Sequence, residues 1–148
     1  MVDVFTEIII NRPLTIVADY AANPDHAPEW YANIHSAVWQ TPKPLALGSK
    51  IAFKASFLGR ELAYVYQIDQ YIAGEQLVMR TADGPFPMET TYTWEGKGEH
   101  AARMTLRNRG NPSGFSGFVS PFMSWMMKKA NRKDLEQLKS ILEKKRLE

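Results

Sequence analysis

Six tyrosines, three histidines and an arginine on a central strand are the side chains through which this chain could do chemistry, and cysteine is absent. Without Cys there is no disulfide framework, no thiolate nucleophile and no sulfur-based zinc site. The histidines are His26, His35 and His100. No two of them have the i, i+4 spacing that sets a ligand pair on one helix face, so no metal site is expected. His26 and Glu29 lie three apart and could form a local acid/base pair, although an ordinary surface pair is the simpler reading. Arg80, if it points inward, could bind an acidic group or stabilise an oxyanion. The outward orientation is preferred, as for Arg103 and Arg107. No Ser-His-Asp set, Gly-x-Ser-x-Gly elbow or phosphate-cradling loop is present, and no cofactor is expected.

The tyrosines gain meaning from the elements that carry them. Ile51, Phe53, Ala55 and Phe57 share one face of a strand by the period of two, and Gly59-Arg60 signals a hairpin. Leu62, Tyr64, Tyr66 and Ile68 alternate in the next strand. Ala73-Gly74 turns the chain into Gln76 to Thr81. Met88, Thr90, Tyr92 and Trp94 alternate with Glu89, Thr91, Thr93 and Glu95. Met104, Leu106 and Asn108 alternate with Arg103, Thr105 and Arg107. One apolar and one charged face mark an antiparallel sheet covered on one side. Parity therefore puts Phe53, Phe57, Tyr64, Tyr66, Met88, Tyr92, Trp94, Met104 and Asn108 on the covered face. Ordinary core packing accounts for any one of them. Together, three buried hydroxyls on a concave apolar face can orient a ligand carbonyl or hydroxyl.

The cover must come from helices. Val2 to Ile10 reads as a first strand, and Pro13 suits the first position of a short helix carrying Leu14, Val17, Ala18 and Ala21. Asn23-Pro24-Asp25 ends it and starts a second short helix, through about Ile34, that contains Trp30. A short strand from Ser36 to Gln40 follows. Ser120-Pro121 is a helix start, and Phe122, Met126, Ala130, Leu135, Leu138 and Leu142 mark one face of a long final helix, with a phase drift near Asn131 to Asp134. Phe115, Phe118, Phe122, Met123, Trp125, Met126 and Met127 crowd its beginning beyond what one stripe needs. With Gly114 and Gly117 they suggest a segment that gates a cavity mouth, against the plainer readings of loop cover or oligomer contact.

The order strand, two short helices, six strands and long helix resembles the START-like (SRPBCC) superfamily, the helix-grip fold that includes birch-pollen-allergen-like, polyketide cyclase/dehydrase-like and lipid-transfer proteins. The resemblance rests on Ile8-Ile9-Ile10 before Arg12-Pro13, Glu29-Trp30 after Pro24, Gly48-Ser49-Lys50, Tyr66-Gln67-Ile68-Asp69-Gln70-Tyr71 leading into Leu77-Val78-Met79-Arg80, and the closing run from Asp134 to Glu143. It implies an α+β fold in which a curved antiparallel sheet of about seven strands wraps a long C-terminal helix around a ligand cavity. Members of the superfamily bind sterols, phospholipids, polyketides, quinones or plant hormones, and a minority are enzymes.

Bulk properties agree with one globular domain over 1–148: 45% of the 148 residues are hydrophobic, 23% are charged, and the net charge is only +2. A general nucleic-acid binder carries a larger basic excess, so no nucleic-acid partner is expected. The N-terminus reads as neither a signal peptide nor a membrane span, and a cytoplasmic location is the simplest expectation. The last helix is basic through Lys128, Lys129, Arg132, Lys133, Lys139, Lys144, Lys145 and Arg146. A solvated outer face explains this, and weak docking to an anionic membrane is the functional alternative. The oligomeric state is not set by the sequence.

The expected function is binding of a small hydrophobic, ring-containing ligand in a cavity of roughly 300–1,000 Å³. The cavity lining is expected to include Trp30, Phe118, Phe122 and Met126 with the inward strand residues. A polyketide cyclase or dehydratase is the first alternative. It needs a proton-moving group in the cavity, and neither a carboxylate nor a histidine falls clearly on the inner face. A protein-interaction module is the second.

Overall fold

A computed structural model describes residues 2–57, 59–84, 87–110 and 121–145, with the side chains of 57, 121, 122 and 145 excepted. Seven strands form one antiparallel sheet: β1 (Val2–Ile10), β2 (Ile34–Trp39), β3 (Lys50–Phe57), β4 (Arg60–Ile72), β5 (Gln76–Asp83), β6 (Met88–Gly96) and β7 (Ala102–Gly110). Their spatial order is β1-β7-β6-β5-β4-β3-β2. Strands β2 to β7 form a meander. β1 returns to the far edge and pairs with β7 from Val2 opposite Gly110 to Ile10 opposite Ala102. α1 (Leu14–Ala22), a 3-10 turn (Pro24–His26) and α2 (Ala27–Trp30) follow β1, and α3 (Pro121–Lys145) closes the fold.

The two faces of the sheet divide by parity. Ile51, Phe53 and Ala55 are buried on β3, Leu77 and Met79 on β5, and Met104, Leu106 and Asn108 on β7. The opposite face carries ion pairs between Arg80 and Glu89, between Arg103 and Glu7, and between Arg107 and Asp3. Register shifts near Val65/Tyr66 and Ile68/Gln70 interrupt the β4–β5 ladder. An extra residue at such a bulge bends the strand and adds twist, which helps curve the sheet around its cover. Gly110 is required by close approach: a Cβ there would stand 2.7 Å from the Pro87 carbonyl oxygen.

The long helix meets this concave face through Leu135, Leu138 and Leu142, all buried and spaced as the helical period dictates. The same side of α3 carries two buried polar residues, Asn131 and Asp134. At the N-terminal end, Pro13 caps α1 from outside instead of opening it, and its carbonyl accepts the Val17 N–H. α2 is shorter than the sequence suggests. Tyr31 is extended, and the next amide, Ala32 N–H, donates to the Asp134 carboxylate at 3.1 Å. A tertiary acceptor thus replaces the helical one, and the chain enters β2 at Ile34.

Candidate ligand cavity

The wall of a cavity between sheet and helices is shared by β2 to β7, the α1–α2 segment and α3, and the cavity has a volume of about 170 Å³. This is smaller than the expected 300–1,000 Å³ because aromatic and methionine side chains from the strands project into the concavity. Phe53 stands 5.6 Å from Tyr64 and 5.9 Å from Tyr66, ring centre to ring centre, and the two tyrosines are 5.0 Å apart. The rest of the wall is mostly small or aliphatic, with Ala55 and Leu77 as examples.

The tyrosines bring three sets of polar groups to it. In the first, the Thr90 hydroxyl donates to Asn108 Oδ1 at 2.7 Å. Thr90 has one hydroxyl proton, so Tyr66, 2.9 Å away, is the donor in their contact. This chain runs from β4 to β7 across the sheet. In the second, the hydroxyls of Tyr31 and Tyr92 meet at 2.5 Å. Tyr64 is the third and makes no hydrogen bond with a described residue. Burial pushes the Tyr66 phenol up to about 12. It also raises Tyr31, Tyr64 and Tyr92 far above the usual phenol range, so all four hydroxyls stay neutral.

Asp134 adds an acidic group. It is 3% exposed, and burial raises its carboxyl from 3.8 to about 6, opposed by the Ala32 hydrogen bond and the nearby Lys133 charge. One helical turn earlier, Asn131 is also on the wall, and its Nδ2 is enclosed without a partner. Asp134, Tyr31 and Ile34 also border a shallow outer depression with Glu29, His35 and Lys133, so they form the partition between cavity and surface.

Of the residues expected on the wall, Phe53, Tyr64, Tyr66, Met88, Tyr92 and Asn108 line the cavity. Trp30, Trp94 and Met104 do not. They are buried behind the wall, where Trp30 packs 5.8 Å and Trp94 6.0 Å from the Tyr92 ring. Parity sends a side chain to the inner face but does not say whether helix or cavity lies over it. Met126 is also displaced from the wall. Met123, Met127 and Asp134 line it together with the expected Ala130, a stripe at i, i+4, i+7 and i+11 that shifts the first turns of the expected helix face by one residue. The side chains of Phe57 and Phe122, and the whole of Phe115, Phe118 and the proposed gating segment up to Ser120, lie outside the described residues. Tyr31, Thr90, Asn131 and Asp134 escaped the sequence reading. The helical offset from Asn131 and Asp134 to Leu135, Leu138 and Leu142 was the available signal.

The other candidates lie elsewhere. Arg80 is on the outer face, 2.7 Å from Glu89 and 3.2 Å from Asp69. Glu29 accepts from the Tyr20 hydroxyl, while the His26 ring stacks on Tyr20 at 4.0 Å. Each residue of the supposed acid/base pair therefore engages Tyr20. Among the described residues no three His, Asp or Glu side chains converge as metal ligands, and no helix is long and apolar enough to cross a membrane. Lys128, Lys129, Arg132 and Lys133 lie on α3. Trp125 is exposed beside them, with the Lys129 ammonium 5.2 Å from its ring centre.

Comparison with solved structures finds the same architecture. A Thermus thermophilus protein, TTHA0849, superposes with a TM-score of 0.77 at 16% identity, covering 93% of this chain and 94% of that one. The Zhui aromatase/cyclase from Streptomyces sp. R1128 gives 0.73 at 12% identity, covering 95% and 93%. A START superfamily protein from Mycobacterium smegmatis gives 0.71 at 14%, covering 97% and 95%. At these identities the likeness speaks for the fold alone. No curated protein matches the sequence significantly. The family model described as polyketide cyclase / dehydrase and lipid transport matches residues 1–143. With a seven-stranded sheet gripping its C-terminal helix, the chain belongs to that family.

Proposed function

We propose that the protein binds a small hydrophobic, ring-containing molecule in the cavity between sheet and α3. The observation that carries this reading is the cavity itself: about 170 Å³ of space with a predominantly apolar wall and a few convergent polar groups. Size narrows the ligand. An apolar cavity of about 150 Å³ accommodates a benzene-sized molecule. A single-ring ligand therefore fits the cavity as it stands, whereas a sterol or phospholipid requires the wall to move. Neutral tyrosine hydroxyls can orient such a ligand without a charge being buried. The proposal sets this carrier in the cytoplasm, in keeping with the sequence reading.

Native mass spectrometry of the purified protein and a thermal-shift titration with single-ring aromatics test this reading. A co-purifying hydrophobic mass, or a saturable rise in melting temperature, is expected. Ala55 is buried on the wall, so Ala55→Trp should fill the space and abolish both signals while leaving the circular dichroism spectrum unchanged. A folded wild-type protein that is empty and unmoved by every ligand would sink the reading.

One observation favours a second reading, that of a cyclase or dehydratase. The Asp134 carboxyl, raised to about 6, stands on the cavity wall. A group with that affinity for protons can accept one from a carbon beside a carbonyl and return it near neutral pH. Turnover of an aryl β-hydroxyketone, with a rate inflection near 6 that vanishes in Asp134→Asn, is the expected signature. Identical turnover by the variant would exclude this residue as the base.

A further inference from the structure

The cavity carries a charge imbalance that a purely apolar ligand leaves uncompensated. Asp134 is the carboxylate of the wall, and no Lys, Arg or His side chain is among its described lining residues. Residues 111–122 contain no charged side chain. One Asp134 oxygen accepts from Ala32 N–H at 3.1 Å, and the other makes no hydrogen bond with a described residue. Beside it, Asn131 is 6% exposed and its amide nitrogen is enclosed without a partner. A buried carboxylate and a buried amide nitrogen without a partner are both costly. Asp134, with one hydrogen bond, and Asn131 stand one helical turn apart on the cavity wall and make a polar pole prepared for a complementary group.

We propose that this pole receives a protonated amine carried on a small ring-bearing body. The inference rests on the ligand-binding reading above and names the chemistry of the ligand's polar end. An ammonium brings the positive charge that Asp134 lacks. It also brings several N–H donors, one of which can go to the free Asp134 oxygen. Tyr31 and Tyr92, close enough to feel the Asp134 charge, are aromatic rings of the kind that attract a desolvated cation. A carboxylate ligand meets the opposite situation, because it would place a second negative charge in a cavity with no described cation to offset either. A neutral alcohol can satisfy one hydrogen bond but leaves the charge of Asp134 unpaired.

The arrangement also sets a pH dependence. The groups facing Asp134 are the Ala32 amide from the α2–β2 segment, Tyr31 from that segment, Tyr92 from β6, and Lys133 from its own helix. Glu29 and His35 border the outer depression on its other side. The tyrosines remain neutral, so the change of charge within the cavity is that of Asp134 itself. Amine affinity therefore strengthens as pH climbs through about 6 and the carboxyl ionises. Alcohol affinity has no such term.

Calorimetric titration with a matched set, phenylbutylamine, phenylbutanol and phenylbutyrate, tests the proposal on the intact protein. At about pH 7.5 the amine is expected to bind roughly tenfold or more tightly than the alcohol, with the acid weakest. Asp134→Asn should bring the amine down to the alcohol's level and leave the alcohol within about twofold, because only the charged partner is removed. Equal binding of amine and alcohol, or an equal loss of both in Asp134→Asn, overturns the amine proposal while leaving the cavity a binding site. If none of the three binds and neutral toluene also fails to bind, the binding reading itself falls, and the proposal falls with it.

Discussion

At the scale of single residues, Asp134 is the group most altered by folding. Its carboxyl is held near 6 against an ordinary 3.8 because burial penalises the charged form more than Ala32 N–H and Lys133 favour it. The sign of the stability effect follows. A raised carboxyl means that the folded chain holds its proton more tightly, so this contribution is fully present below about pH 4 and is lost as pH rises through about 6. Asp134→Asn keeps an acceptor for Ala32 and removes the charge. The variant should match wild type near pH 3 and exceed it by about 3 kcal/mol near pH 8, measured by chemical denaturation. An equal change at both pH values would show that packing, not ionisation, sets the difference. In the sequence Asp134 is one charge among many in a basic helix, directly after Lys133. Its burial depends on α2 stopping at Trp30 so that Ala32 can reach it.

At the scale of elements, the rotation of α3 decides what faces the ligand. Met127 is on the wall and Met126 is not. Met127→Trp should block a cavity of this size and eliminate ligand-induced thermal shifts, whereas Met126→Trp should retain them. Loss of the shift in both variants would contradict the helix phase. Farther along, Leu138 is completely buried between α3 and the sheet. Leu138→Ala should cost about 2–5 kcal/mol in urea unfolding, from lost burial and the space left behind. Leu135, Leu138 and Leu142 were legible from spacing alone. The methionine stripe was not, because methionine and tryptophan occur at nearly every position from Met123 to Met127, and several helical phases fit that run equally well.

At the scale of the molecule, stability comes from the concave side of the sheet. The outer-face pairs of Arg80, Arg103 and Arg107 join exposed groups, and such pairs are worth about 0–1 kcal/mol each and weaken with salt. Raising sodium chloride to about 1 M should therefore change unfolding stability by no more than about 1–2 kcal/mol in total. A larger fall would mean that the charged ladder contributes more than its exposure allows. The closure of the fold is non-local: β1 pairs with β7 about a hundred residues later, placing Val4 opposite Asn108. No local signal gives that pairing, since each strand's alternation describes its own two faces and is silent about its neighbour.

The sequence by itself determined the strands, the inward and outward faces of β3, β4, β6 and β7, the long final helix and the family. Side-chain period and turn chemistry are local properties, and their order along the chain is distinctive even where each motif is weak. It also marked Phe53, Tyr64, Tyr66, Met88, Tyr92 and Asn108 for the inner face. Only the tertiary structure decided which inward residues meet open space and which meet other side chains, because that depends on how α3 sits over the sheet. It left Trp94 and Met104 behind the wall, joined Tyr31 to Tyr92, and turned Asn131 and Asp134 into the cavity's polar pole. Burial and partnership are properties of assembled surfaces, and no spacing within one element contains them.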